Sequence, residues 1–295
     1  MLTRRGWAYR QRDRAYRGLM RVIFPDVAGA IKREHADAAF MPEDRNATPS
    51  HKLVVDQGSD ATIVAFSSAA LLYAGQSMRE FEAFFKRYGA GYNLVFFRDV
   101  HRSAYHLTPD GEPRGLAFYE DDLRATLREL GSTRHIAIGD SAGAAAAIHF
   151  GSRCGFDKII AFSPPFPLRH WIGPRAQLRS YFDLKLLRKE PAAYREHVVL
   201  SFTPVFWLYL PLRFRVGRRG IWNPIATYLA ASPRPRLTVF YGEGSRPERD
   251  ILAPLQGTPE ATLVPLPTAK HFCMVTLART GTLGSTIMGI IEAAP

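Results

Sequence analysis

Two cysteines in 295 residues, Cys154 and Cys273, cannot build a disulfide framework, and neither stands in a C-x-x-C or Cys/His spacing that would hold structural zinc. Such a chain suits a reducing compartment, and a cytoplasmic location is expected. Long apolar runs are missing as well. Arg interrupts every apolar run in MLTRRGWAYRQRDRAYRGLMRVIF, so no secretory h-region is expected, and the sequon Asn46-Ala47-Thr48 is not expected to meet a glycosylating enzyme. The most apolar stretch, Val198 to Leu212, contains Pro204 and Pro211 and falls short of the roughly 20 residues that a spanning helix needs. Nucleotide and metal signatures are also absent. There is no GxxxxGK[ST] and no HExxH, and Gly242-Glu243-Gly244 lacks the third glycine of a dinucleotide loop. Neither a cofactor nor a metal is expected.

Acids are scarce: 27 Asp and Glu face 39 Lys and Arg, a formal net charge of +12. The excess is local. Residues 1–24 carry +6 and residues 166–236 carry +10, which leaves the rest of the chain at −4. Fields of this kind attract anionic surfaces or anionic substrates and say nothing about fold. In residues 9–24, Tyr9, Tyr16, Leu19, Met20 and Ile23 share one helical face while Arg10, Arg14, Arg17 and Arg21 stripe another, the pattern of a basic amphipathic helix. Such a helix either docks its apolar side on the body of the protein or lies on an anionic membrane surface, a peripheral contact through residues 1–24. Nucleic acid is not expected as a partner, because no groove-reading motif or RNP-type aromatic set accompanies the charge.

Hydrophobic residues make up 46% and charged residues 22%, enough apolar matter for a sizeable core, which excludes disordered and low-complexity classes. Short, nearly continuous apolar runs at 61–68, 93–99, 135–140, 158–164, 237–243 and 261–267 read as strands buried on both faces. Helical patterns lie between or after them, at Met78–Tyr88, Phe118–Leu130, Ala142–Ser152, Glu248–Leu255 and Met274–Ile291. This alternation predicts an α/β, doubly wound, mostly parallel sheet. It breaks once, between Pro164 and Arg236, in a segment rich in Pro, aromatics and Arg. The expected organisation is a basic arm and lead-in over 1–50, a core from 51–165 and 236–295, and an inserted cap over 166–235.

The run HIAIGD leads into Gly139-Asp140-Ser141-Ala142-Gly143, a G-x-S-x-G followed by a run of alanines. A nucleophilic serine on a tight strand-to-helix turn needs small neighbours, and Gly139, Ala142 and Gly143 supply them. A hydroxyl is a poor nucleophile near neutral pH, so a base oriented by a third group is required. His271, after the last predicted strand, is the candidate base. The acid should come from GEGSRPERD, where Ser245 stands in the position of the common aspartate. Asp250 is the choice as a short acid that could return toward His271, with Glu248 and Glu243 as alternatives. Two backbone N–H groups must face the oxyanion. Ala142 offers one at the helix start; the second is expected from the end of ATIVAFSS, at Ser68.

At these residues the chain resembles the α/β-hydrolase superfamily, over about residues 50–165 and 235–295. NLVFFRDVHRSAYHL, IGDSAGAAAAIHFGSRCGFDKIIAFSPP and KHFCMVTLARTGTLGS are similar to blocks in bacterial proteins of that superfamily, some associated with surface-polysaccharide machinery. That resemblance implies that Arg98, Asp99, His101, Arg102 and Tyr105 line the mouth of the site, Arg102 and Tyr105 as substrate contacts; the alternative is a loop salt-bridge cluster. The leading expectation is a serine hydrolase that cleaves a carboxylic ester or thioester of a small-molecule, glycan or lipid acyl substrate through an acyl-enzyme. Transfer of the acyl group to a glycan or lipid hydroxyl is the second. A non-catalytic binding protein on the same fold is the third.

Overall fold

In the structure, a computed structural model, residues 50–68, 81–204 and 222–293 are described. The expected basic helix at 9–24 lies outside these residues. Seven strands form one sheet in the order β1-β3-β2-β4-β5-β6-β7. They are β1 (Lys52–Val55), β2 (Ala61–Phe66), β3 (Asn93–Phe97), β4 (Arg134–Asp140), β5 (Lys158–Phe162), β6 (Arg236–Gly242) and β7 (Ala261–Leu266). All neighbours run parallel except β1, which pairs antiparallel with β3 from Lys52 opposite Phe97 to Val55 opposite Leu94. The six apolar runs read from the sequence are β2 to β7. The edge strand β1 is an addition to those runs, and its half-exposed, four-residue span explains why it leaves so little apolar signal in the sequence.

The helices are α1 (Glu82–Tyr88), α2 (Gly115–Leu130), α3 (Ala142–Arg153), α4 (Arg169–Ile172), α5 (Pro174–Tyr181), α6 (Leu184–Lys189), α7 (Pro191–Pro204), α8 (Pro224–Ala230), α9 (Arg246–Leu252), α10 (Met274–Arg279) and α11 (Leu283–Glu292). The single helix expected from Met274 to Ile291 is two helices. Gly281 stands between them at φ 71, a left-handed conformation that ends α10.

Side chains alternate across the pleat, so each strand feeds two cores. Val64, Phe66, Val95, Phe97, Ala137 and Val239 pack with the alanines of α3 and with Leu123 and Leu127 of α2. Ile63, Ala65, Leu94, Phe96, Ile138 and Phe240 pack on the other face with Phe85 of α1 and Ile287 and Ile291 of α11. The chain leaves β2 toward β3 on one side, and leaves β4 toward β5 on the other. The ends of β2 and β4 therefore flank the crevice where a doubly wound sheet reverses direction, which is where such sheets place ligands.

Among the described residues five helices, α4 to α8, lie in the segment between β5 and β6, and α7 packs against α4, α5 and α6. Among the described residues no helix is long and apolar enough to cross a membrane.

Candidate active site

Ser141 sits between the last residue of β4 and the first of α3 at φ 53, ψ −120, a backbone conformation that costs an L-residue on the order of 1–3 kcal/mol. Two glycines let the turn close. A Cβ at Gly139 would stand 2.2 Å from the backbone of Gly143, and one at Gly143 would stand 2.2 Å from the carbonyl oxygen of Phe66. The Ser141 N–H donates to Phe162 O at 2.8 Å, which ties the turn to β5. Only 8% of the residue remains exposed.

The structure brings His271 to this serine. Ser141 Oγ and His271 Nε2 are 2.9 Å apart, and the imidazole is fully buried. Its Nδ1 lies 2.8 Å from Oε1 of Glu248. An ionised Glu248 only accepts, so the neutral ring carries its proton on Nδ1 and donates it to Glu248, which leaves Nε2 as the unprotonated nitrogen facing the Ser141 hydroxyl. Burial pushes the His271 pKa down to about 3, so the ring is neutral at neutral pH.

The acid that the structure brings to His271 is Glu248 and not the expected Asp250. Both belong to α9, but residues two apart on a helix point to different sides. Pro247, Glu248, Ile251 and Leu252 form its buried face. Asp250 lies outside that face with 47% of its side chain exposed, 3.9 Å from Arg246 Nε. Glu248 Oε2 accepts the N–H of Gly242 at 2.8 Å, which occupies its second oxygen. Burial pushes the Glu248 carboxyl well above the usual range, and the Gly242 N–H and the Ser163 hydroxyl pull it back. Ser163 is itself fully buried, at φ 48, and its hydroxyl also lies 3.1 Å from Cys273 Sγ.

Sequence reasoning missed the residues that hold the loop carrying His271. Glu196 Oε2 accepts the His271 backbone N–H at 2.9 Å. Glu190 accepts from Thr268 Oγ1 (2.8 Å) and from the Ala269 N–H (2.9 Å), and His197 Nε2 donates to Ala269 O at 2.7 Å. All three side chains come from the segment between β5 and β6. Burial raises Glu196 to about 8, against the opposing pull of the His271 N–H and of Lys270. Trp171 of α4 meets the His271 ring edge-on, with centroids 5.3 Å apart and planes at 76°. No local motif marks these positions, because the contacts join segments some 75 residues apart.

Ala142 is the first residue of α3, where helix N–H groups have no intrahelical acceptor. Ser68 is buried just beyond β2, on the other side of the crevice, and the residues that follow it lie outside the described part. The expectation for Tyr105 needs correcting. It is fully buried, with its single hydroxyl proton shared between Ser67 O (3.0 Å) and Phe97 O (3.1 Å), so it braces the ends of β2 and β3 and is not exposed at the mouth of the site. Arg102 is buried too, at φ 52, with its N–H on Asp99 O. Asp99 organises this loop: its carboxylate accepts from Ser103 Oγ at 3.1 Å and the Tyr105 N–H at 3.0 Å. Arg98 pairs with the buried Glu82.

No protein-family model matches the chain, and no curated protein matches it in sequence. Solved structures do match in fold. A candidate esterase from Staphylococcus aureus is similar at 14% identity and a TM-score of 0.52, over 82% of this chain and 80% of that one. A carboxylesterase structure from the thaumarchaeon Nitrososphaera gargenis is similar at 13% identity and a TM-score of 0.51, over 85% and 97%.

Proposed function

The chain has the α/β-hydrolase fold, and from that premise we propose that it is a serine hydrolase cleaving a carboxylic ester or thioester through Ser141, His271 and Glu248. The observation that carries this reading is one hydrogen-bonded line. Ser141 Oγ stands 2.9 Å from His271 Nε2, and His271 Nδ1 stands 2.8 Å from Glu248, with the serine on a strained turn at the crevice.

Chemically, neutral His271 takes the Ser141 proton as Oγ bonds to the acyl carbon. The carbonyl π electrons move to oxygen, where the N–H of Ala142 at the positive end of α3 and the backbone about Ser68 hold the charge. The imidazolium, stabilised through Nδ1–H by Glu248, then gives its proton to the departing alcohol or thiol as the bond to the acyl carbon breaks. Water, deprotonated by His271, attacks the acyl-enzyme; the tetrahedral intermediate collapses, Ser141 Oγ departs with the proton from His271, and the free acid leaves. The substrate is a small-molecule, glycan or lipid acyl compound.

Covalent labelling with a fluorophosphonate tests the reading, because only a serine activated by a base reacts. Adduct is expected on the peptide that carries Ser141, and is expected to vanish in Ser141→Ala and His271→Ala. A folded wild-type protein that takes up no label would overturn the proposal. Running an ester substrate with and without a polyol then separates acid formation from transfer to an alcohol.

A further inference from the structure

Four of the six large apolar side chains that stand exposed among the described residues fall within ten consecutive positions: Leu178 (59%), Phe182 (73%), Leu184 (57%) and Leu187 (38%). On α5, Arg175, Leu178, Arg179 and the following Phe182 recur at i, i+3, i+4 and i+7, which sets them along one stripe. On α6, Leu184, Leu187 and Arg188 share a face, and Lys185 and Lys189 stand beside them. No residue of α6 is buried. Helix α6 packs on α7 and half-buries Leu186, but Leu184 and Leu187 stay exposed and have no apolar partner among the described residues.

The charges say what that partner is. Arg175, Arg179, Lys185, Arg188 and Lys189 are all exposed, and none has an ion pair among the described residues. The one exposed acid among them, Asp183, is engaged as the N-cap of α6, accepting the Leu186 N–H at 2.8 Å. Apolar side chains ringed by long cations suit the boundary between acyl chains and anionic headgroups, where leucine and phenylalanine enter the apolar layer while Lys and Arg reach back to phosphate.

We propose that α5 and α6 form a docking surface for an anionic lipid membrane. The surface is coupled to the candidate site. Helices α5 and α6 pack on α7, whose Glu196 and His197 grip the loop carrying His271.

The test is co-sedimentation of the full chain with large vesicles of phosphatidylcholine, alone or with about one-third phosphatidylserine, at low and high salt. Two double variants are compared with the wild type, Phe182→Ser/Leu184→Ser and Arg179→Glu/Arg188→Glu. Wild type is expected on the anionic vesicles and is expected to dissociate at high salt. The apolar double should bind at least tenfold more weakly. Each cation near such a surface is worth about fivefold, so the charge double should lose at least about 25-fold. Thermal melts establish that both variants remain folded, so a loss of binding is not a loss of fold, and the outcome is independent of any hydrolase activity. Three results would overturn the proposal: no binding by wild type, binding by both variants equal to wild type, or a self-association of the chain that the apolar double abolishes, which would make a second copy the partner.

Discussion

Glu196 Oε2 accepts the backbone N–H of His271 at 2.9 Å, while Glu248 holds the imidazole of the same residue at 2.8 Å. Two carboxyl groups, one from α7 and one from α9, thus fix one histidine, the first through its main chain and the second through its ring. A base must sit within a fraction of an ångström of its serine to take the proton efficiently. The segment between β5 and β6 therefore reaches into the geometry of the proposed chemistry, although Glu196 touches no reacting atom.

Removing that grip should slow turnover without weakening substrate binding. In Glu196→Ala the His271 N–H loses its acceptor, and a misplacement of about 1 Å can cost on the order of 100-fold in rate. A fall in kcat of about 10- to 100-fold with little change in KM is expected. Glu196→Gln keeps an acceptor oxygen and should retain most of the activity. Equal losses in the two variants would contradict a positioning role.

The same carboxyl should leave a signature on stability. Burial raises Glu196 to about 8 in the folded protein, above the 4.5 of an ordinary glutamate. Between these values the folded state holds a proton that the unfolded chain has released. The stability that this protonation contributes is therefore fully present below about pH 4.5 and is lost as the pH rises through about 8. Glutamine cannot ionise, so Glu196→Gln should match wild type near pH 5 and melt a few degrees higher near pH 9, about 2–4 °C for each kcal/mol gained. Melting curves at the two pH values decide it.

Most of the sheet was legible because β2 to β5 are buried on both faces along most of their length, and burial writes itself as apolar runs, while the half-exposed edge strand β7 still shows in ATLVPL. The elbow was legible because the turn demands small residues at Gly139 and Gly143. The acid was misread for a different reason. A short side chain points to Asp250, while the property that decides is helical phase: Glu248 shares the face of Ile251 and Leu252, at i+3 and i+4, and Asp250 does not. That signal was present in RPERDIL. The contacts of Glu190, Glu196 and His197 left no such trace, since only the tertiary fold brings α7 to the loop before α10.

Swapping the two acids separately makes the correction measurable. Glu248→Gln preserves shape but removes the charge that stabilises the imidazolium and fixes its tautomer; losses on the order of 10⁴ follow such a change in triads of this kind. A fall in kcat of about 10³- to 10⁴-fold is expected. Asp250→Asn breaks only an exposed 3.9 Å pair with Arg246, of the kind worth less than about 1 kcal/mol, and its kcat should stay within about twofold of wild type. A collapse of activity in Asp250→Asn would return the role to that residue.

The pH profile of serine labelling reports the buried imidazole directly. A protonated His271 cannot accept the Ser141 proton, so the rate must fall once the ring is charged. An ordinary histidine would reach half-rate near 6.5, whereas burial sets this one at about 3. Labelling between pH 5 and 7 should therefore be nearly flat. A half-point near 6.5 would show that the ring is hydrated in solution and is not sealed beneath Trp171 and the loop.

The strain at Ser141 can be isolated by comparing two variants that both lack the hydroxyl. Ser141→Ala removes the contact with His271 but keeps a Cβ on a residue at φ 53, ψ −120. Ser141→Gly removes the same contact and also the Cβ, so the strain of about 1–3 kcal/mol disappears. Glycine offsets part of this gain, because the unfolded chain becomes more flexible by about 0.5–1 kcal/mol. The difference should still favour glycine by about 1–2 kcal/mol, which places its melting temperature a few degrees above that of the alanine variant. Neither variant should label. A serine held in this conformation costs the fold stability and contributes nothing to packing that a glycine could not match, so a higher melting temperature for Ser141→Gly would mean that the turn is kept strained for the hydroxyl it presents. Equal melting temperatures would mean that the turn accepts a side chain without cost, and that its geometry carries no mark of function.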